Sequence, residues 1–127
     1  MLPAERRVRR RGDFAATVRD GRRSGSGGLV VHLISTPEST RSAAAPSRAG
    51  FIVGRGAGPA VTRNRIRRRL RHLMAPRLDA LPHGTTVVVR ANASAANCTS
   101  AELARTLDRL LERAVSPRRA PAAGGSQ

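Results

Sequence analysis

The chain has 127 residues, with 24 basic and 8 acidic side chains and a formal charge of +16 with histidine neutral. Every basic residue is arginine and none is lysine, so the cations are permanently charged forks suited to phosphate rather than tunable amines. The length supports one domain around one modest core, and no apolar run approaches the roughly 20 residues of a bilayer span. No signal-peptide core follows Met1, so the expectation is a soluble, cytoplasmic protein without membrane contact. A single Cys98 excludes an internal disulfide and a cysteine zinc cluster, and His32, His72 and His83 lack metal-ligand spacing.

Residues 12–21 read as a short helix: Asp13 favours its positive end, Phe14 and Val18 share a face at i,i+4, and Gly21 terminates it. Residues 22–28 read as a Gly/Ser loop, and 29–35, apolar and β-branched, as the first strand. The turn-forming composition of 36–47 predicts a flexible loop. A second strand covers 48–54, centred on Phe51, Ile52 and Val53, and a Gly-rich bend carrying Arg55 follows it. Beyond Pro59 a helix is predicted from Ala60 to Met74, stopping before Pro76, with Ile66, Leu70, Leu73 and Met74 as its apolar stripe. The third strand, 85–91, places Thr86, Val88 and Arg90 on one face and Val87 and Val89 on the other. Thr99-Ser100-Ala101-Glu102 is a capping box. It opens a helix whose Leu103, Leu107, Leu110, Leu111 and Ala114 recur at helical spacing and which Pro117 ends. The tail, 117–127, has the composition of disorder. The fold class is α/β (α+β), a single small α-β-β-α-β-α domain spanning 1–116, with one sheet packed against helices.

Between Glu38 and Asp79 there is no acidic residue, yet this stretch holds ten arginines, six of them within 63–71. On a helical wheel Asn64, Arg67, Arg68 and Arg71 lie opposite the Ile66/Leu70/Leu73 stripe, with Arg63 and Arg69 flanking it. A charge run is ordinarily a solvated face. Here like charges at i,i+4 repel by tenths of a kcal/mol per pair, and nothing within the segment neutralises them, so the pattern points to a polyanion. Structured RNA fits better than sequence-read DNA. Phe14 and Phe51 are the only aromatics, which excludes the paired aromatic signature of an RNA-recognition motif. Phe14 is placed either on a stacked base or in the core of its helix; Phe51, between Gly50 and Ile52-Val53, reads first as core.

The ordered string Gly50-Phe51-Ile52-Val53, a basic Gly-rich bend, then Gly58-Pro59-Ala60-Val61-Thr62-Arg63-Asn64-Arg65-Ile66-Arg67-Arg68-Arg69-Leu70-Arg71 closely resembles the bacterial ribonuclease P protein family. Arg-Asn-Arg at the head of a helix is its hallmark. The resemblance extends from Glu5 to Ala114, with Arg10, Arg11 and Phe14 resembling the opening basic-aromatic segment and Val88-Val89-Arg90 the third-strand ending. It implies the ribonuclease P protein-like fold and an accessory subunit that binds a catalytic RNA and promotes removal of the 5′ leader from precursor tRNA. It also implies RNA-subunit contacts for Arg63, Asn64, Arg65, Arg67, Arg68, Arg69 and Arg71. Leader contacts are implied for Phe14, Phe51, Arg55, Arg90, Arg10 and Arg11. The RNA performs the chemistry, no protein residue is catalytic, and the required Mg2+ is held mainly by RNA phosphates. A 1:1 protein–RNA complex is expected. The chain departs from the family where Arg55 is followed by Gly56 rather than a second basic residue, and where Val18 replaces a frequent second aromatic.

Two other classes have part of this pattern. A structural RNA-binding protein of ribosomal type shares the charge, and an organellar transit segment mimics the Arg-rich start, but neither predicts the ordered motif set. A stand-alone protein nuclease needs a carboxylate or histidine cluster that the sequence does not supply.

Overall fold

The computed structural model describes residues 6–8, 11–35, 47–82 and 84–115. Residues 36–46 of the loop expected at 36–47, Arg10, His83 and the tail from 116 lie outside the described residues. The elements are α1 (Arg11–Asp20), β1 (Arg22–Ser26), β2 (Leu29–Ser35), β3 (Arg48–Val53), α2 (Ala60–Leu78), β4 (Thr85–Ala91) and α3 (Ser100–Val115). The α-β-β-α-β-α order is present with one further strand.

That strand, β1, occupies the segment expected to be a loop. It pairs with β2 in antiparallel register from Arg22↔Leu33 to Ser26↔Leu29, leaving Gly27 and Gly28 as a two-residue turn with φ of 58° and 87°. Two consecutive positive φ values give the hairpin turn whose twist matches its strands, and glycine adopts them without a Cβ penalty. The sheet order is β1-β2-β4-β3. β4 runs antiparallel to β2 and parallel to β3, and parallel neighbours need a crossover, which α2 provides.

Alternation along the strands gives the sheet two different faces. Leu29, Val31, Leu33, Ala49, Val53, Val87, Val89 and Ala91 form one buried cluster with residues of α2 and α3. From α2 come Ile66, Leu70, Met74 and Leu78, an unbroken i,i+4 ridge, so the helix passes Pro76 instead of stopping before it. Proline costs least in a last turn: the carbonyl deprived of its partner is that of His72, at an exposed position, and Arg77 Nη1 donates to the neighbouring Leu73 carbonyl at 2.7 Å. α3 contributes Leu103, Leu107, Leu110, Leu111 and Ala114. Its capping box is formed as expected, with the Thr99 amide donating to Glu102 Oε1 at 2.8 Å and the Glu102 amide to Thr99 Oγ1 at 3.1 Å.

The opposite face carries α1. A Cβ on Gly50 would lie 2.6 Å from the Phe14 ring, so this glycine lets the helix sit down on the sheet. Arg48 ties the same helix to β4, pairing with Asp13 at 3.5 Å and donating to Thr86 Oγ1 at 3.3 Å. Ser47, at the end of the expected flexible stretch, is buried and ordered by a network: its hydroxyl donates to the Leu78 carbonyl at 2.8 Å, and Arg6 bonds both Ser47 and Asp79. The backbone of Val8 also donates to Ala49, alongside β3.

Candidate nucleic-acid interface

α2 begins without compensation for its charge. Its N-cap is Pro59, which makes no side-chain cap bond, and no acidic residue lies in the first turn. The positive end of the helix dipole and its unpaired amides therefore face outward beside arginines. The ion pairs among the described residues, Arg6–Asp79, Arg19–Asp20, Arg48–Asp13 and Arg77–Asp108, involve none of the arginines from 63 to 71. Arg63 Nε donates to the Gly58 carbonyl at 3.2 Å, Arg67 Nη1 to Asn64 Oδ1 at 2.9 Å, and Arg69 Nη1 to the Cys98 carbonyl at 3.4 Å. These bonds orient guanidinium groups without neutralising them. Asn64, Arg65 and Arg68 are exposed, and Arg63, Arg67, Arg69 and Arg71 half-exposed, so the whole expected set lies at the surface of one helix.

The aromatic residues meet elsewhere on the same side. Phe14 of α1 and Phe51 of β3 both line a groove of about 350 Å³, together with Arg11, Ile52, Val53 and Arg67. Phe51 also packs against the hydrophobic core. That packing matches the core reading its sequence setting offers, while the residue also lines the groove. Ile52 also lines a second hollow, of about 310 Å³, whose wall includes Arg90, Arg23, Val30 and Asn92. Val30, Arg90 and Ile52 are register neighbours across β2, β4 and β3, so they form one row on the part of the sheet that α1 leaves open. Arg90 is exposed there, while Val88 and Thr86, under the other part, are buried. Phe14, Phe51 and Arg11 are thus brought together, and Arg90 lies one residue-width beyond them, with Ile52 in common. Arg55 is exposed on the short 3-10 turn of the bend, beside the second hollow.

Sequence reasoning missed Arg23 and Ile52. Arg23 lies in the segment whose Gly/Ser composition predicts a loop, and the Gly27-Gly28 pair is the signal that marks it as a strand residue. Beneath this surface His32 is 2% exposed, and both ring nitrogens lack hydrogen-bond partners among the described residues. Burial first, then the Arg90 and Arg23 guanidiniums, push its pKa below the ordinary histidine value, which keeps the ring neutral beside two cations.

Fold and surface together define a small α/β protein built to hold RNA. The family model described as Ribonuclease P matches residues 2–115. The ribonuclease P protein component of Streptomyces bikiniensis is 53% identical over 116 residues, covering 89% of this chain and 94% of that relative. The corresponding protein of Salinispora tropica is 46% identical, with 93% and 96% covered. Among solved structures, the RNase P protein of Staphylococcus aureus superimposes with a TM-score of 0.74 at 22% identity, covering 87% of this chain and 95% of that one. That of Thermotoga maritima gives 0.68 at 24%, with 84% and 96% covered. At those identities the structural likeness speaks for the fold, which it matches along nearly the whole chain. The chain belongs to the ribonuclease P protein family. It is an accessory subunit of ribonuclease P, the ribonucleoprotein of tRNA 5′ processing in which the RNA carries catalysis, and its partners are that RNA and precursor tRNA.

Proposed function

We propose that the arginine face of α2 binds the catalytic RNA while the sheet face receives the 5′ leader of precursor tRNA. In this reading Arg63, Asn64, Arg65, Arg67, Arg68, Arg69 and Arg71 meet the folded RNA. The leader runs from Arg11 past Phe14 and Phe51 to Arg90, with Arg55 at the bend and Arg10, outside the described residues, at the entry. The observation that carries it is that the chain's only two phenylalanines line one arginine-flanked groove. Aromatic faces accept bases of any sequence and guanidiniums accept the intervening phosphates, which is how single strands are held without base readout. Precursor and mature tRNA differ only in the leader, so binding energy gained in this track favours substrate over product.

One RNA-binding domain, residues 1–116, and one protein per catalytic RNA suffice for both contacts. No three His, Cys, Asp or Glu side chains converge to hold a metal among the described residues, and Asp13, Asp79 and Asp108 are engaged by arginines. The described residues therefore do not fit a protein-held magnesium site. Magnesium, which activates water and stabilises the leaving oxygen, is assigned to RNA phosphates. The proposed place of work is the cytoplasm; no helix among the described residues is long and apolar enough to cross a membrane.

The test compares precursor and mature tRNA binding on the assembled complex. Loss of one stacked base or one phosphate contact predicts that Phe14→Ala and Arg90→Ala each lower the preference for precursor by roughly tenfold. Folded variants that both keep full preference would place the leader elsewhere.

A further inference from the structure

The arginines of α2 do not all face the same way. Arg65 and Arg68 point outward and make no hydrogen bond or ion pair among the described residues, whereas Arg67 is half-buried on the flank turned towards the edge of β3 and lines the groove that holds Phe14 and Phe51. Its guanidinium is also restrained. Nη1 donates to Asn64 Oδ1 at 2.9 Å, one helical turn earlier, while the Nε and Nη2 edge of the fork has no partner among the described residues and can bind two oxygens of one phosphate. An asparagine suits this task because it accepts the bond without cancelling the cation, as a carboxylate would. With Arg11 supplied by α1, the groove has a guanidinium from each helix beside its two rings. A single strand that stacks bases on the rings must pass its phosphates between such walls.

We propose that Asn64 is a positioning residue that holds Arg67 on the wall of the Phe14–Phe51 groove, where Arg67 takes a phosphate of the single-stranded leader rather than one of the catalytic RNA. This rests on the leader-track reading above and moves Arg67 from one RNA partner to the other. Restraint by Asn64 reduces the freedom a long side chain must lose on binding, so the asparagine acts on the leader only through the arginine.

The experiment is a double-mutant cycle on the assembled ribonucleoprotein, with Arg67→Ala, Asn64→Ala, both together, and Phe14→Ala as the reference for the groove. For each, protein affinity for the catalytic RNA and the ratio of precursor to mature tRNA affinity are measured. Losing a bidentate phosphate contact predicts that Arg67→Ala lowers the precursor ratio by about tenfold, with catalytic-RNA affinity changed by no more than about twofold, within the range of an exposed ion contact. Asn64→Ala is expected to lower the same ratio by about threefold, as for one modest hydrogen bond. The double variant is expected to match Arg67→Ala alone. Losses that multiply in the double variant, an Asn64→Ala ratio equal to wild type, or an Arg67→Ala defect that falls on catalytic-RNA affinity instead, overturn the inference. If Phe14→Ala lowers the ratio and Arg67→Ala does not, this inference alone fails; if neither lowers it, the leader track itself fails.

Discussion

Gly50→Ala tests how the fold delivers an aromatic ring to the RNA. The added Cβ would lie 2.6 and 2.7 Å from Phe14 Cε1 and Cζ and 2.8 Å from Val8 Cβ, against an ordinary carbon contact of about 3.5–4.0 Å. The ring could swing aside, but Val8 Cβ is fixed to backbone that is itself bonded to Ala49 at 2.9 Å, so α1 and the first segment must both shift. Overpacking of this kind costs about 1–3 kcal/mol. For a domain of this size that lowers the thermal midpoint by roughly 4–10 °C. Gly25→Ala is the control: its Cβ comes close to the end of a Val30 side chain at 3.3 Å and meets the Leu29 carbonyl oxygen at an ordinary 3.6 Å, and a change within about 0.5 kcal/mol is expected. Differential scanning calorimetry gives the stabilities, and the precursor-to-mature ratio on the assembled complex should fall for Gly50→Ala alone. A Gly50→Ala protein with an unchanged midpoint and full precursor preference would refute the argument that this glycine seats Phe14.

Replacing Arg63 and Arg65 together by Ala should weaken catalytic-RNA binding by at least tenfold, since each charged contact contributes about 1.5–3 kcal/mol. The log–log salt slope should become shallower by roughly one to two units, with the thermal midpoint unchanged; a steep slope retained in full would show that these side chains meet no phosphate. His32 gives a pH signature. Its folded-state pKa is lowered by burial and by Arg90 and Arg23, so the unfolded chain takes up the proton first. The stability linked to this group is therefore complete above the unfolded value of about 6.5 and is lost as pH falls below it, down to the folded-state pKa. His32→Leu also removes two unpartnered buried nitrogens. The loss of thermal midpoint between about pH 7 and pH 5 should then be shallower than in wild type, and an equally steep loss would contradict the assignment.

Much of the architecture follows from local patterns in the chain. Alternation in Thr86-Val87-Val88-Val89-Arg90 placed Arg90 on the open face, and the Thr99/Glu102 capping box marked the start of α3 to within a residue. β1 was hidden because Arg22-Arg23-Ser24-Gly25-Ser26 has no β-branched or aromatic residue; pairing with β2 and cover from α3 make it a strand, an override of local propensity by tertiary context. The end of α2 was hidden by Pro76, since the gain from burying Leu78 under the i,i+4 ridge becomes visible only with the core in view. The arginine face was legible because charge without counter-charge is a property of sequence. The groove was not: Phe14 and Phe51 lie 37 positions apart, and it takes the seat at Gly50 and the Arg48–Asp13 pair to bring α1 to the edge of β3. Sequence spacing also grouped Arg67 with its helix neighbours, although its flank turns it towards the rings.

The most direct measurement is precursor-tRNA cleavage by the cognate catalytic RNA at low magnesium, with the protein, without it, and with the protein alone. The protein is predicted to restore cleavage that the RNA cannot sustain at that magnesium level, because its arginines supply positive charge where ions are scarce and its groove retains the leader. The protein alone is predicted to cut nothing, since no cluster to activate water forms among the described residues. Failure of the protein to lower the magnesium requirement, or reproducible cleavage in the absence of RNA, would contradict the account.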